Sequence, residues 1–86
     1  MPEVYVKGVC NIWLEFSSLE KYETEAQDIY ILYDANGKEF AVFNYRGLLA
    51  ESRIFIKNEK ASLELYIAPL AASRLVNELE KIIVSK

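Results

Sequence analysis

Apolar and polar side chains alternate along the first segment of the chain, residues 4–16. Strand side chains point alternately to two faces, so one strand over about 3–16 would bury one set and direct the other away from it. The first set is small or apolar and comprises Val4, Val6, Gly8, Cys10, Ile12, Leu14 and Phe16. The second set contains Tyr5 and Trp13, which a solvated face would not normally carry. The pattern therefore predicts a strand with apolar side chains on both faces.

Residues 17–27 break the alternation and are rich in serine and glutamate, so we expect a long acidic loop there. A β-branched and aromatic run over 28–35 follows, and Asn36-Gly37 comes after it. This dipeptide is typical of a two-residue hairpin turn, because both turn positions need positive φ. We therefore expect strands over 28–35 and 38–46 in one hairpin. The cross-strand pairs of that register are Tyr33 with Phe40, Ile31 with Val42, and Tyr30 with Phe43.

The last third of the chain predicts two more strands and a helix. The strands are expected over 52–57 and 62–67, with the isoleucines of the first on the same face as the leucines of the second. Pro69 suits the first turn of a helix, where its missing N–H is not needed, and residues 69–84 carry apolar side chains at helical spacing. The helical stripe consists of Ala72, Leu75, Val76, Leu79, Ile82 and Ile83. Glu78, Glu80 and Lys81 are interpreted as ordinary surface charges.

Together these elements predict an α+β fold in a single domain over 1–86. Its architecture is an antiparallel β-meander of about five strands, with one C-terminal helix packed on one sheet face. One helix covers only one face of a sheet. The other face is also apolar, so we expect it to be covered by something else.

Composition supports a folded chain. The sequence is 52% hydrophobic and 27% charged, which is too apolar for disorder, and no apolar run is long enough to span a membrane. The start Met1-Pro2-Glu3 leads into the strand pattern without a signal sequence, so we expect a cytoplasmic protein. Cys10 is the single cysteine and belongs to the apolar set, where a buried thiol is expected.

Groups that support catalysis or cofactor binding are scarce. Histidine is absent, which removes the commonest general base and metal ligand at neutral pH. Ser17 and Ser18 have no neighbouring base, and the carboxylates of residues 17–27 lack the spacing of a calcium loop. The three glycines are isolated, unlike those of a phosphate-binding loop. We therefore expect a protein that is not an enzyme and uses no metal or cofactor.

The candidate binding surface is the sheet face that the helix leaves uncovered. We expect it to combine aromatic rings with lysines and arginines, namely Tyr5, Lys7, Trp13, Tyr30, Phe43, Tyr45, Arg53, Phe55, Lys57 and Tyr66. Two interpretations stay open. Either the rings fill a protein-protein interface, most simply that of a homodimer, or they stack on the bases of single-stranded DNA or RNA while the cations contact phosphates.

Charge does not decide between these interpretations. The net charge of −3 is unfavourable for contact with phosphates, but residues 15–28 alone carry −4, so the rest of the chain carries +1. Residues 38–60 carry a small excess of positive charge. A surface of mixed charge and a weakly basic patch are both compatible with this distribution.

The junction between the last strand and the helix carries a family resemblance. Residues 62–69 read Ser-Leu-Glu-Leu-Tyr-Ile-Ala-Pro and lead into the helical run 70–83. A curved antiparallel sheet followed by one C-terminal helix resembles the positive-coactivator and Whirly type of single-stranded-DNA-binding domains. The resemblance covers the topology and about the last third of the chain. It implies dimerisation through the helices and a nucleic-acid channel lined by basic and aromatic residues of the sheets.

Overall fold

A five-stranded antiparallel sheet, a two-stranded hairpin and one helix form the part of the chain that the structure describes. The computed structural model describes the backbone of residues 3–6, 12–47, 50–57 and 60–84, with side chains over 14–47, 50–57 and 60–83. The elements are β1 (Glu3–Val6), β2 (Ile12–Glu15), β3 (Ser18–Glu23), β4 (Asp28–Tyr33), β5 (Glu39–Tyr45), β6 (Ser52–Lys57), β7 (Ser62–Ile67) and α1 (Pro69–Val84). The large sheet has the order β3-β4-β5-β6-β7, which confirms the predicted α+β meander.

The start of the chain differs from the prediction of one long strand. β1 and β2 are short strands that pair antiparallel in a sheet of their own, with Glu3 opposite Glu15. β1 lies beside α1. Leu14 and Phe16 are buried in the main core, as their place in the apolar set predicts. Residues 7–11 lie outside the described residues, and the expected burial of the thiol falls among them.

Strand β3 replaces most of the loop that was predicted over 17–27. Leu19 is buried, while Glu20 and Tyr22 are exposed on the opposite face of the strand. A strand at the edge of a sheet tolerates charged residues, because only one of its sides is paired. The connection to β4 is limited to residues 24–27, where the Thr24 N–H donates to the Gln27 carbonyl at 2.9 Å. The Thr24 hydroxyl also accepts a hydrogen bond from the Gln27 N–H at 3.0 Å.

The β4–β5 hairpin has the predicted place but a longer turn. Gly37 has a φ of 78°, whereas Asn36 does not have positive φ. The prediction of a two-residue turn is therefore wrong. The Asp34 carboxylate determines this geometry, because its Oδ1 accepts hydrogen bonds from the N–H groups of Asn36 and Lys38, each at 2.9 Å. A β-turn that ends in a glycine with positive φ adds a bulge to the hairpin.

The bulge changes one predicted cross-strand pair. The register shifts between Leu32 and Tyr33, and Tyr33 lies opposite Glu39 instead of Phe40. The pairs closer to the middle of the strands are as predicted: Ile31 with Val42, and Tyr30 with Phe43.

Helix α1 covers one face of the large sheet and has the predicted bounds. Ala72, Leu75 and Leu79 of its predicted stripe are fully buried. The sheet contributes a covered face, whose buried residues include Tyr30, Leu32, Ala41, Phe43 and Ile54. Because side chains alternate along each strand, the opposite or outer face carries Glu20, Tyr22, Ile29, Ile31, Tyr33, Val42, Asn44, Arg53, Phe55, Lys57, Glu64 and Tyr66. Each of these side chains is at least partly exposed.

Candidate functional site

Three of the predicted site residues belong to the core instead of the binding surface. Tyr30 and Phe43 are fully buried on the covered face, and their rings stack with centroids 5.9 Å apart. Tyr45 is partly buried and packs against the same core. Both faces of β4 and β5 carry apolar side chains, so the alternation alone could not show which face the helix would cover. The helix covers the row that contains Tyr30 and Phe43.

Four predicted residues lie together on the outer face. Arg53, Phe55 and Lys57 are consecutive outward residues of β6, and Tyr66 lies opposite Arg53 on β7. The Tyr66 side chain is the most exposed of the aromatic residues on this face, with 66% of its surface accessible. The side chains of Tyr5 and Trp13, and the whole of Lys7, lie outside the described residues. The outer face therefore retains part of the predicted aromatic and basic surface.

Carboxylates lie next to the cations of the outer face. The Arg53 Nη1 is 3.7 Å from the Glu64 Oε1, and the Lys57 Nζ is 3.4 Å from the Glu39 Oε2. Exposed ion pairs of this kind contribute about 0–1 kcal/mol, so they restrain these side chains only weakly. They do reduce the local positive charge. The outer face consequently lacks an uninterrupted basic track across its described residues.

A cup lies at one end of the outer face, where the sheet meets the β3–β4 and β5–β6 connections. It has a volume of about 360 Å³ and is lined by Ala26, Gln27, Asn44, Arg46, Glu51, Arg53 and Tyr66. The hydrogen bonds between Thr24 and Gln27 fix one wall. On the other wall the Arg46 N–H donates to the hydroxyl of the fully buried Ser52 at 3.0 Å, which holds the end of β5 against the start of β6.

Asn44 contributes an unusual atom to the cup. Its Oδ1 is buried and has no hydrogen-bond partner among the described residues. A buried polar atom without a partner costs about 1–3 kcal/mol, so such atoms are rare in folded proteins. The neighbouring residue on β6 is Arg53, whose guanidinium lies next to Glu64 and makes no hydrogen bond with this oxygen. The cup thus contains an acceptor that a rearranged side chain or a ligand could satisfy.

The two edges of the large sheet have different chemistry. β3 carries three charged residues among its six, whereas β7, Ser62–Ile67, carries one, Glu64. Leu63 is 53% exposed and Tyr66 is 66% exposed on β7, and Leu70 at the start of α1 is 74% exposed. Charged edge strands resist pairing with other chains, and apolar ones invite it. The predicted meander places its last strand at an edge, as observed for β7, but the sequence gave no sign of how exposed that edge would be.

A polar network joins the helix to the edge strand β3. The Glu80 Oε1 accepts hydrogen bonds from the Lys21 Nζ at 2.5 Å and from the Tyr30 hydroxyl at 2.6 Å. The interpretation of Glu80 as an ordinary surface charge is therefore wrong. Lys21 lies in a segment that was predicted to be a loop. The sequence therefore gave no reason to expect that Lys21 would pair with Glu80.

The network shifts the protonation of its members. The hydrogen bond from Lys21, followed by that from Tyr30, lowers the pKa of the Glu80 carboxyl. The hydrogen bond to Glu80 raises the pKa of Lys21, and burial raises the pKa of Tyr30, with Glu80 adding to the effect. All three shifts favour the charged pair with a neutral phenol. The network stabilises the packing of α1 on the sheet near neutral pH.

Replacement of Glu80 tests this network through acid sensitivity. Because the folded-state pKa of Glu80 lies below its ordinary value of 4.5, its contribution is present above that pH and is lost as the pH falls through the folded-state pKa. Glu80→Gln should lower the free energy of unfolding by about 1 kcal/mol at neutral pH, since the pair is partly exposed. The difference from the parent protein should shrink as the pH falls below 4.5, as measured by urea unfolding at several pH values.

Glu78→Gln is the matched control for this experiment. Glu78 lies one helical half-turn away and contacts the exposed Lys81 at 3.2 Å. We expect its replacement to change stability by a few tenths of a kcal/mol at any pH. Equal pH dependence of the two variants would contradict the role assigned to Glu80.

The described residues show neither a membrane-spanning helix nor a metal-binding group. No helix among them has the length and apolar character to cross a bilayer. No group of three or more histidine, cysteine, aspartate or glutamate side chains among them is arranged to hold a metal ion. Comparison with known proteins adds no relative: no protein-family model, curated protein or solved structure matches this chain.

Proposed function

We propose that this chain is a small, non-enzymatic binding module that works as a two-fold dimer, formed by antiparallel pairing of β7 with β7 of a second copy. The observation that carries the proposal is the exposure of Leu63 on this edge strand and of Leu70 next to it. Tyr66 of β7 and Tyr22 of β3 are the other exposed large hydrophobic side chains among the described residues, and both point to the outer face. Apolar surface is thus concentrated at one edge of the sheet.

Backbone chemistry favours the same partner. An edge strand presents unpaired N–H and C=O groups along its free side, and a second strand satisfies them. A suitable partner offers a free strand edge of similar length that carries few charges. A second copy of β7 meets that requirement, and two-fold dimers are the commonest assembly of identical chains.

Symmetry and charge restrict the register of this pairing. Opposite residues in a pair of antiparallel strands point to the same face of the sheet. When the two strands are related by a two-fold axis normal to the sheet, one residue must therefore lie opposite its own copy, and that residue is the centre of the pairing. A centre at Glu64 would place two carboxylates directly opposite each other, which is destabilising. A centre at Leu65 places the two Leu65 side chains opposite each other. It also pairs Leu63 with the partner's Ile67.

Sedimentation velocity tests the assembly. We expect the parent protein to sediment as a dimer at micromolar concentrations. Leu63→Lys should raise the dissociation constant of the dimer at least about tenfold, because it buries an unpaired ammonium between the two β7 strands. A parent protein that remains a monomer at the highest soluble concentration would overturn the proposal.

Tyr22→Lys is the matched control at the opposite edge. Tyr22 is 49% exposed, close to the 53% of Leu63, but it lies on β3. We expect this variant to sediment as the parent protein does. Loss of the dimer in both variants to the same degree would show that β7 is not the interface.

Binding of single-stranded nucleic acid to the outer face stays a prediction. Tyr66, Phe55 and Arg53 still lie together there, but Glu64 and Glu39 face the cations and would repel phosphates. The proposed dimer leaves the outer face free, so the two interpretations can be tested separately. Titration with a single-stranded oligonucleotide tests this interpretation.

A further inference from the structure

We infer that the cup on the outer face binds a free nucleotide, with the phosphate between Arg46 and Arg53 and the base against Tyr66. The cup is formed within one chain and does not need the dimer proposed above. Its lining combines two guanidinium groups, two amide side chains, one carboxylate and one exposed phenol ring. The guanidinium groups suit a phosphate, the phenol ring suits a base, and the amide side chains suit the polar edge of that base.

The charge of the cup favours an anion. Two arginines and one glutamate line it, whereas the whole chain has a net charge of −3. Guanidinium groups bind phosphate through paired hydrogen bonds, which a lysine ammonium cannot form. Arg53 is 47% exposed and its contact with Glu64 is long, at 3.7 Å. It can therefore turn towards a bound phosphate at little cost.

The remaining groups suit a base and a sugar. Tyr66 presents a ring that is two-thirds exposed, and stacking of a base on such a ring contributes in proportion to the surface covered. The amide of Gln27 lines the opposite wall and can form hydrogen bonds with a base edge. A ligand donor, or Arg53 once it moves, would satisfy the buried Oδ1 of Asn44.

Size and surroundings favour a free nucleotide over a strand. A volume of about 360 Å³ is at the small end of the range for ligand sites, which is about 300–1,000 Å³. Beyond the cup, the next outward row of the sheet carries Glu20 and Glu64 at its two sides. A strand that continued along the face would meet these carboxylates. Further nucleotides should consequently add little to the affinity.

Isothermal titration of the parent protein with adenosine monophosphate tests the site. We expect binding, with adenosine and inorganic phosphate each at least about tenfold weaker, because each retains only part of the contacts. Arg46→Gln and Arg53→Gln should each weaken the binding of adenosine monophosphate about tenfold or more. Lys57→Gln is the matched control, because Lys57 is a cation of the same face outside the cup and its replacement should leave the affinity unchanged.

Two further arms separate this inference from its alternatives. The Leu63→Lys variant should retain the affinity for adenosine monophosphate. The dimer proposal and the nucleotide proposal can therefore fail independently of each other. A single-stranded ten-nucleotide oligodeoxyadenylate should bind no more than a few-fold tighter than the mononucleotide. No binding of adenosine monophosphate, indifference to both arginine replacements, or an oligonucleotide that binds more than about tenfold tighter would each overturn the proposal.

Discussion

Replacing Phe43 with alanine should lower the free energy of unfolding by about 3–5 kcal/mol, the usual cost of removing a fully buried aromatic side chain. Phe43 is 0% exposed on the covered face, where its ring centroid lies 5.9 Å from that of Tyr30 and 6.3 Å from that of Tyr45. The cost combines the lost burial of the ring with the cavity that it leaves. A residue that served a ligand surface would not be this sensitive.

Phe55→Ala is the matched control for this prediction. Phe55 lies on the neighbouring strand β6 but on the outer face, where it is partly exposed. Its replacement should cost no more than about 1.5 kcal/mol, because water already reaches part of the ring. Urea unfolding of both variants gives the comparison. If Phe43→Ala does not fold, Phe43→Leu and Phe55→Leu should keep the same order, and equal costs would contradict the assignment of the two faces.

The regular elements near the end of the chain could be predicted well. Strands 52–57 and 62–67 and the helix 69–84 have the bounds that the sequence predicts. Pro69 fixes the start of the helix, and clear alternation defines both strands. Local signals suffice where the element depends mostly on its own residues.

Other features depend on tertiary packing and could not be predicted. Residues 18–23 read as a loop because of their charges. They form a strand because they pair with β4 and because Lys21 binds Glu80 of the helix. Tyr30 and Phe43 looked equivalent to the outward residues beside them, since both faces of the hairpin are apolar. The helix decides between the faces.

The candidate sites could also be predicted only in part. Arg53, Phe55, Lys57 and Tyr66 were expected to share a face, and the register confirms this. The cup was not foreseen, because its walls come from two connections that only the folded sheet brings together. The edge position of β7 follows from the predicted meander, whereas the exposure of Leu63 and Tyr66 depends on where the helix packs.

A disulfide between two copies should report the register of the proposed dimer. If β7 pairs with β7 around Leu65, the two Leu65 Cα atoms lie about 4.5–5.5 Å apart, within the range of about 4.4–6.8 Å that a disulfide spans. The two Leu63 positions are then offset by four residues along the strands, or about 13 Å. Cys10 is the single cysteine of the chain and would be replaced by serine in all variants.

Leu63→Cys is a stringent control, because the greater exposure of this position favours disulfide formation. Leu63 is 53% exposed, whereas Leu65 is partly buried against the core, so random collisions would link Leu63→Cys first. Only a defined register reverses this order. Thermal unfolding of both variants establishes that each retains the fold before oxidation.

The most direct test of the proposed dimer is therefore the yield of disulfide-linked dimer after mild oxidation in a glutathione buffer, read on a non-reducing gel for the two cysteine variants. We predict that Leu65→Cys forms the linked dimer at least about tenfold faster than Leu63→Cys. Faster linkage of Leu63→Cys, or a folded Leu65→Cys variant that remains monomeric, would contradict pairing of the two β7 strands around Leu65.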